Sequence, residues 1–443
     1  MKPYSDALLG ELFDQLFPVC RSITGPGLRQ SLGLFAEWMP LSFEQVPTGT
    51  DIFDWTVPSE WHIHGARLTG PDGRVIVDFA DNNLHVVNYA EPVDRHMSLQ
   101  ALQPHLYSLP DLPQAVPYVT SYYRRNWGFC LADDQRQRLS DGDYHVWIDS
   151  EFVDGGLDFA HCLVPGESEQ EILLSSYLCH PSMANNELSG PLVLLGLYHR
   201  IRSWPRRRYS YRFLLNPETI GSLCFLSRHH EHLSKVLAGG LVLTCLGGPS
   251  QGLSYKASRQ GKGLIDRVVQ HVMAHDDSWS CRPFTPEHGS DERQYCSPGF
   301  NLPVGNITRT TYGSYPGYHN SLDDKQFMDI AQVVNSIDRI ESLLRSVEIG
   351  GVFANTKPYG EPHLSKYALY PTENSSKTRS MSADCLEDGR RRLNLVLQVL
   401  SHCDGTRCLV ELADTLGMPL EQLSPVVETL EHNRLLCAGS ACR

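Results

Sequence analysis

Histidine and carboxylate residues follow apolar segments of this 443-residue sequence, at positions where an α/β sheet usually places its chemistry. His180 and Glu187 come soon after the apolar run at 171–177, which predicts a buried strand. Glu218 follows a second such run at 209–216. Later polar segments contribute three further candidates: Asp291, His319 and Asp323. Side chains from separate loops could therefore meet at one edge of a sheet.

Neutral imidazoles and carboxylates from separate loops are the ligands of a catalytic zinc site, which also keeps an open position for water. We predict that His180, Asp291 and His319 bind the metal. Glu218 is the candidate general base, because a hydrolytic zinc site needs a carboxylate outside the ligand set to take the proton of water. Asp323, four residues after His319, could orient a metal-bound imidazole.

Each candidate also has a purely structural interpretation. Asp291, preceded by glycine and serine, could cap a helix, and Glu218 could be a surface charge at a strand end. Cys179 is predicted to be a buried thiol that points away from His180, because neighbouring residues of a strand face opposite sides. The occurrence of all these candidates at loop junctions favours the functional interpretation.

Strands and helices alternate from about residue 141 onward. Apolar runs predict strands at 143–150, 158–164, 171–177, 209–216, 239–246 and 302–307. Helical periodicity predicts helices at 189–202, 220–235, 262–275 and 323–347. This alternation indicates an α/β sandwich around a mostly parallel or mixed sheet.

The remaining segments differ from this pattern. Residues 1–45 predict two amphipathic helices, which we assign with residues 141–370 to one α/β domain. Residues 46–140 show two-residue alternation and hairpin turns, which predict an inserted β-rich domain. Residues 373–378 are predicted to be a linker. Residues 380–443 predict three short helices followed by an extended segment, an order that resembles a winged-helix domain.

The charge of the chain limits its partners. A formal net charge of −13 argues against a nucleic-acid or anionic-membrane role for the whole molecule. From residue 386 on, six arginines face eight acidic residues without any lysine, which favours homo-oligomerisation or packing over DNA binding. No apolar run reaches the length of a membrane span, and the first residues lack the apolar core of a signal peptide. We therefore expect a cytoplasmic protein.

The order of the candidate residues resembles the co-catalytic zinc aminopeptidase superfamily, which also contains the glutaminyl cyclases. The matching motif runs through His180, Asn186-Glu187-Leu188-Ser189-Gly190, Glu218, Asp291 and His319. More closely, the chain is similar over its whole length to a bacterial aminopeptidase-like family associated with polysaccharide biosynthesis. Supporting strings lie at 20–25, 53–58, 85–89 and 127–130. The resemblance implies a zinc-aminopeptidase-like α/β/α sandwich with an inserted β-rich domain and a C-terminal winged-helix domain.

Two positions depart from the two-zinc aminopeptidases. Asn186 stands where the superfamily has an aspartate that bridges both metals, and the acid comes one residue later, at Glu187. Thr219 stands where a glutamate that binds the second metal follows the base. Because two acids are missing, the resemblance implies one zinc ion rather than two. Glu187 is then an additional candidate ligand, with Asn186 beside the ligands.

The resemblance implies a zinc-dependent hydrolase that acts on an amide bond of a small peptide or aminoacyl conjugate. The candidate residues for binding that substrate are Arg21, Arg293, Arg309 and Tyr318. Two alternatives stay open. The same zinc could serve an acyl transferase or cyclase, or the protein could be a catalytically inactive binding or assembly protein.

Overall fold

The computed structural model of the protein describes residues 4–370 and 383–438, and the side chains of the second range from residue 389. The linker predicted at 373–378 lies outside the described residues. The chain forms two compact units. The first contains the described residues up to 261 and residues 280–341, and the second contains residues 262–279 and the described residues from 342 onward.

Helices and strands alternate through most of the described chain. The helices are α1 Ala7–Leu16, α2 Pro26–Ala36, α3 Leu99–Leu102, α4 Asp133–Arg136, α5 Ser189–Ser203, α6 Ile220–Val236, α7 Leu264–Met273, α8 Glu292–Tyr295, α9 Ile330–Gly350, α10 Ala383–His402, α11 Leu409–Leu416 and α12 Ser424–His432. The strands are β1 Ser42–Pro47, β2 Asp51–Ile52, β3 Trp55–Thr56, β4 Glu60–Thr69, β5 Val75–Asp78, β6 Val93–Ser98, β7 Leu106–Tyr107, β8 Phe129–Cys130, β9 Asp143–Val153, β10 Gly156–Val164, β11 Glu171–Tyr177, β12 Ser210–Asn216, β13 Leu237–Leu243, β14 Leu253–Lys256, β15 Trp279–Arg282, β16 Val304–Thr308, β17 Val352–Asn355, β18 Asp404–Cys408 and β19 Leu436–Ala438.

The first unit is built on an eight-stranded sheet in the order β1-β10-β12-β11-β13-β16-β14-β15. Its centre, β12-β11-β13-β16, is parallel, and β1, β10 and β14 pair antiparallel at the sides. Every residue of β11 and β12 is buried, as expected for parallel strands covered on both faces. This confirms the predicted α/β architecture with a mixed sheet.

A second sheet of the first unit has the antiparallel order β5-β4-β9-β6. Strand β9, predicted as part of the α/β domain, belongs to this sheet instead. Its residues alternate between buried and exposed, which suits an antiparallel sheet with one face against a core and one face in solvent. The domain boundary predicted at residue 140 therefore separates β9 from the sheet to which it belongs. The boundary predicted at residue 46 also differs, because residues 46 and 47 are part of β1 and so belong to the large sheet.

The parallel centre of the large sheet aligns the loops that carry the candidate residues. Tyr177 at the end of β11 lies opposite Asn216 at the end of β12, so His180 and Glu218 leave the sheet at the same edge. A π-helix at Ala184–Leu188 then leads into α5. Gly190 permits a close approach of α5 to the sheet, since a Cβ atom at this position would lie 2.3 Å from the Leu243 carbonyl oxygen.

The second unit contains α7, α10, α11, α12 and the three-stranded sheet β18-β17-β19. The three helices of the predicted winged helix correspond to α10, α11 and α12. Strand β17 pairs with both β18 and β19, so this sheet also uses residues that precede the boundary predicted at 380. Among the described residues, no helix combines the length and apolar character that a membrane span requires.

Candidate metal centre

His180 is held by a carboxylate on one side of its ring. Its Nδ1 lies 2.7 Å from Glu187 Oε2, and both side chains are almost fully buried. Burial opposes protonation of His180, but the adjacent Cys179 and Glu187 side chains together raise the pKa of the imidazole above its usual value. The Nδ1 contact leaves Nε2 directed toward the opening between the loops. Glu187 is therefore placed to orient His180, and its predicted role as a metal ligand stays a prediction.

Arg21 supports this histidine–glutamate pair from behind. Its Nε donates to the backbone oxygen of His180 at 3.0 Å and its Nη1 donates to the Leu16 oxygen at 2.6 Å. Its Nε also lies 3.6 Å from Glu187 Oε1, an oxygen that has no hydrogen-bond partner among the described residues. Because Arg21 is completely buried, the predicted role in binding substrate is replaced by a structural one.

Glu218 faces His180 across the opening. Its Oε2 lies 3.7 Å from His180 Nε2, and its Oε1 accepts a hydrogen bond of 2.8 Å from the Ser290 hydroxyl. The Glu218 side chain is 27% exposed, whereas the His180 side chain is 6% exposed. Desolvation by the surrounding protein raises the pKa of the Glu218 carboxyl, and the nearby His180 works against that shift. A carboxylate with a raised pKa and one free oxygen is suited to accept a proton.

Asp291 lies behind Glu218 and is completely buried. Its Oδ1 accepts the Thr219 backbone N–H at 2.7 Å, and its Oδ2 accepts the Asn216 amide at 3.1 Å. Burial and, next, the charge of Glu218 raise the pKa of Asp291 to about 7. Two neighbouring carboxylates with raised pKa values indicate a deficit of positive charge at this position.

His319 completes the arrangement on the opposite loop. Its ring centroid lies 5.4 Å from that of His180, and its ring stacks on Tyr318 at 4.0 Å. Burial and, next, the charge of His180 lower the pKa of His319 to about 3, so its imidazole is neutral at physiological pH. A neutral imidazole is the form that binds a metal ion.

The backbone is strained at two positions of the centre. Thr219 has a φ of +61° and His319 a φ of +59°, a region that residues with a side chain rarely adopt. The Thr219 N–H is fixed by Asp291, and the His319 oxygen accepts the Tyr118 N–H at 2.9 Å. Such strain persists where surrounding contacts determine the conformation, and it is common at functional sites.

Asp323 is not bound to the His319 ring, which corrects its predicted role. Its two oxygens accept the backbone N–H groups of Asn185 and Asn186, at 2.7 and 2.8 Å, and the Tyr315 hydroxyl at 3.1 Å. Asp323 therefore secures the beginning of the π-helix that carries Asn186. The four-residue spacing to His319 does not orient it toward the ring, because these residues lie in turns and not in a helix.

Two further arginines predicted to bind substrate are used within the protein. Arg309 is buried, with Nε 2.9 Å from the Ser336 hydroxyl and Nη1 2.7 Å from the Ser250 oxygen. Arg293 donates from Nε to the Ser290 oxygen at 3.2 Å, so it braces the loop that bears Asp291. The partners of Arg309 could not be assigned from sequence, since they lie 27 and 59 residues away along the chain.

Three of the candidate residues, His180, Glu218 and His319, line a cavity of about 330 Å³. Its lining also includes Thr219, Tyr118 and Tyr122. Tyr318, predicted to bind substrate, instead stacks behind His319. The cavity is open to solvent on one side, which suits a small substrate.

Close groups of three metal-binding side chains do not include the predicted set. Within the described ranges, ligand atoms lie within 4.8 Å of one another in two groups: Cys179, His180 and Glu187, and Glu44, His161 and His229. His180, Asp291 and His319 do not form such a group in this arrangement.

Cys179 was predicted to point away from the site, yet its Sγ lies 3.5 Å from His180 Nδ1 and accepts the Glu218 N–H at 3.3 Å. Strand β11 ends at Tyr177, so the alternation of a strand no longer applies at Cys179. Burial raises the pKa of the Cys179 thiol to about 11.

Comparison with known proteins places the chain in a family. Residues 10–350 match the model of DUF4910, described as a domain of unknown function. The chain belongs to this family. Residues 351–438 match a winged helix-turn-helix model, which confirms the predicted C-terminal fold.

The chain is similar to proteins from two bacteria. A Clostridium acetobutylicum protein, named a polysaccharide biosynthesis protein with aminopeptidase-like domain, is 38% identical over 427 residues, which cover 96% of this chain and 95% of its own. A crystal structure from that organism, described as a peptidase, has a TM-score of 0.84 at 36% identity and covers 98% of this chain and 96% of its own. BSAP, a zinc aminopeptidase from Bacillus subtilis, has a TM-score of 0.56 at 12% identity over 77% of this chain and 95% of its own, which shows a shared fold.

The side chains of this centre are of the types that can bind zinc. A neutral His319, a His180 ring with Nε2 toward the cavity and the crowded carboxylates of Glu218 and Asp291 are the donor types that zinc binds. Asn186 contributes a neutral amide rather than a carboxylate, and its buried Nδ2 has no hydrogen-bond partner among the described residues.

Proposed function

We propose that the protein is a zinc-dependent hydrolase that cleaves an amide bond in a small peptide or aminoacyl conjugate. The observation that carries the proposal is the meeting of His180, His319 and the partly exposed Glu218 carboxylate at one open cavity. The aminopeptidase-like domain in the name of the Clostridium relative and the fold of the Bacillus zinc aminopeptidase support the same reaction class.

We assign zinc binding to His180, Asp291 and His319. Bound zinc supplies a Lewis acid that polarises the scissile carbonyl and lowers the pKa of a water molecule toward about 7. Glu218 takes the proton of the attacking water at Oε2 and passes it to the leaving amine, while the Ser290 hydroxyl holds Oε1.

The surrounding residues keep these groups in position. Glu187 holds the Nδ1 side of His180, so that Nε2 faces the cavity. Thr219 has a strained backbone conformation, and its N–H fixes the Asp291 carboxylate. Tyr318 covers one face of the His319 ring and limits its rotation. The centre is thus organised by the protein before a substrate enters.

Metal analysis of purified protein tests the ligand assignment. We expect about one zinc per chain in the wild type and loss of most of it in His319→Ala, because a tetrahedral site with three protein ligands is severely weakened by removal of one. His96→Ala is the matched control: this histidine is 65% exposed on the second sheet and should not affect zinc content. Zinc retained in His319→Ala, or a wild type without metal, would contradict the assignment.

The winged-helix segment carries a separate prediction about nucleic acid. Because its acidic residues outnumber its arginines, few DNA phosphates could be neutralised, and we expect no duplex binding tighter than about 10 μM at about 150 mM salt. Fluorescence anisotropy of a labelled duplex with the full-length protein measures this. Micromolar binding that weakens steeply with salt would show that the segment binds DNA. Its proposed role in homo-oligomerisation remains a prediction.

A further inference from the structure

A second cavity adjoins the one at the candidate metal centre. It has a volume of about 240 Å³, and Tyr122 and Tyr123 line both cavities. Arg124 and Arg125 line the second cavity and not the first. A molecule that extends beyond the first cavity would therefore cross the two tyrosines and reach the arginines.

The charge of the second cavity is opposite to that of the protein. The residues described around it include Arg124 and Arg125 and no acidic residue, whereas the chain has a net charge of −13. Both arginines are exposed, and within the described part of the chain neither forms a salt bridge. Two exposed guanidinium groups without a carboxylate partner are available to an external anion, which they can bind in a bidentate manner.

The position of Arg125 is defined by an aromatic ring. Its guanidinium carbon lies 3.6 Å from the centroid of the Phe152 ring, within the range of a cation–π contact. This contact uses the face of the guanidinium and leaves its edge N–H groups for a planar or tetrahedral anion. The arginine is therefore oriented at low cost before a ligand binds.

Aromatic side chains stand at the boundary between the cavities. Trp55 and Tyr123 are 38% and 56% exposed, and their ring centroids lie 5.5 Å apart at 68°. Large exposed aromatic residues at a cavity edge provide flat apolar surface for a ring of a ligand. The path from Glu218 to Arg125 thus offers a proton acceptor, then aromatic surface, then positive charge.

We propose that the substrate carries an anionic group, a carboxylate or a phosphate, at the end distant from the scissile amide, and that Arg124 and Arg125 bind this group. The proposal deepens the proposed function and rests on it for the position of the amide. Arg124 and Arg125 would also provide the positive charge for substrate binding that Arg21 and Arg309 cannot, because those two side chains are buried and hydrogen-bonded within the protein.

Three probes that share an amide and a ring test the proposal: alanyl anilide, alanyl-4-aminobenzoate and alanyl-4-aminophenyl phosphate. Their binding is measured by calorimetry with the Glu218→Gln variant, so that turnover does not consume them. We expect at least one anionic probe to bind about tenfold more tightly than the neutral probe. The carboxylate and phosphate probes identify which anion is preferred, and the preference should decrease with added salt.

Substitution of both arginines provides the decisive comparison. In Arg124→Gln/Arg125→Gln, made on the Glu218→Gln background, the anionic preference should disappear while binding of the neutral probe is unchanged. Both side chains are exposed, so the fold should persist, and a thermal melt verifies this. Arg74→Gln is the matched control, since Arg74 is 87% exposed on a turn outside both cavities. The Arg74→Gln protein should prefer the anionic probes to the same extent as the Glu218→Gln parent.

The outcomes separate this proposal from the proposed function. Anionic probes that bind no more tightly than the neutral one, including the case in which none binds, overturn the anionic subsite. A preference that survives the double substitution also overturns it. Turnover of the same probes is measured in parallel with protein that retains Glu218, with and without the two arginine substitutions. Hydrolysis of all three probes at equal rates contradicts the subsite alone, whereas an arginine-dependent preference without hydrolysis contradicts the amide hydrolase alone.

Discussion

Glu218→Gln is expected to reduce kcat for amide hydrolysis by about 100- to 10,000-fold, while the protein keeps its zinc. The amide is close to the carboxylate in size and can still accept the Ser290 hydroxyl, but it cannot take a proton from water. Because we assign no metal bond to Glu218, the ion should be unaffected. Steady-state kinetics with alanyl anilide and elemental analysis of the same samples measure both quantities.

A second glutamate serves as the control for this experiment. Glu151 is 53% exposed on β9 and pairs with histidines of the second sheet, so Glu151→Gln should leave both kcat and zinc content near the wild-type values. If Glu218→Gln lost its zinc, Glu218 would be a ligand. If kcat fell by less than a few-fold, another group would be the base.

Lys256→Met is expected to lower the free energy of unfolding by about 3–5 kcal/mol, because it leaves a buried carboxylate without its counter-charge. Lys256 Nζ donates to Glu292 Oε1 at 2.8 Å and to the Thr285 oxygen at 2.7 Å, and both charged side chains are almost completely buried. Glu292 Oε2 also accepts the Ser290 N–H at 2.9 Å. The ion pair therefore secures the loop that brings Ser290 to Glu218.

Two further variants distinguish the loss of pairing from a general effect of substitution. In Lys256→Met/Glu292→Gln the uncompensated charge is absent, so urea denaturation should show recovery of much of the stability. Arg206→Met removes one partner of an exposed pair with Glu167, about half of each side chain being in solvent, and should cost less than about 1 kcal/mol. If the Lys256→Met and Arg206→Met variants lost equal amounts of unfolding free energy, burial of the ion pair would have no special role.

The architecture of the large sheet could be predicted from sequence because it depends on local pattern. The apolar run at 171–177 is the whole of β11, and the start of α5 coincides with the predicted helix start at residue 189. Parallel strands are buried on both faces, so their sequence is continuously apolar and easily recognised. Strand β9 was assigned to the wrong sheet because period-two alternation identifies a strand but not its partner strand.

The candidate residues His180, Glu218, Asp291 and His319 were predicted from their types and from the junctions at which they occur. Their contacts could not be predicted in this way. A contact such as that between Arg21 and His180, which are 159 positions apart, depends on the packing of the whole unit. Sequence therefore indicated the kind of chemistry that we propose for this protein. Only the tertiary structure decided that Glu187 orients His180, that Arg21 and Arg309 are internal, and that Arg124 and Arg125 face a cavity, because burial and side-chain direction follow from long-range packing.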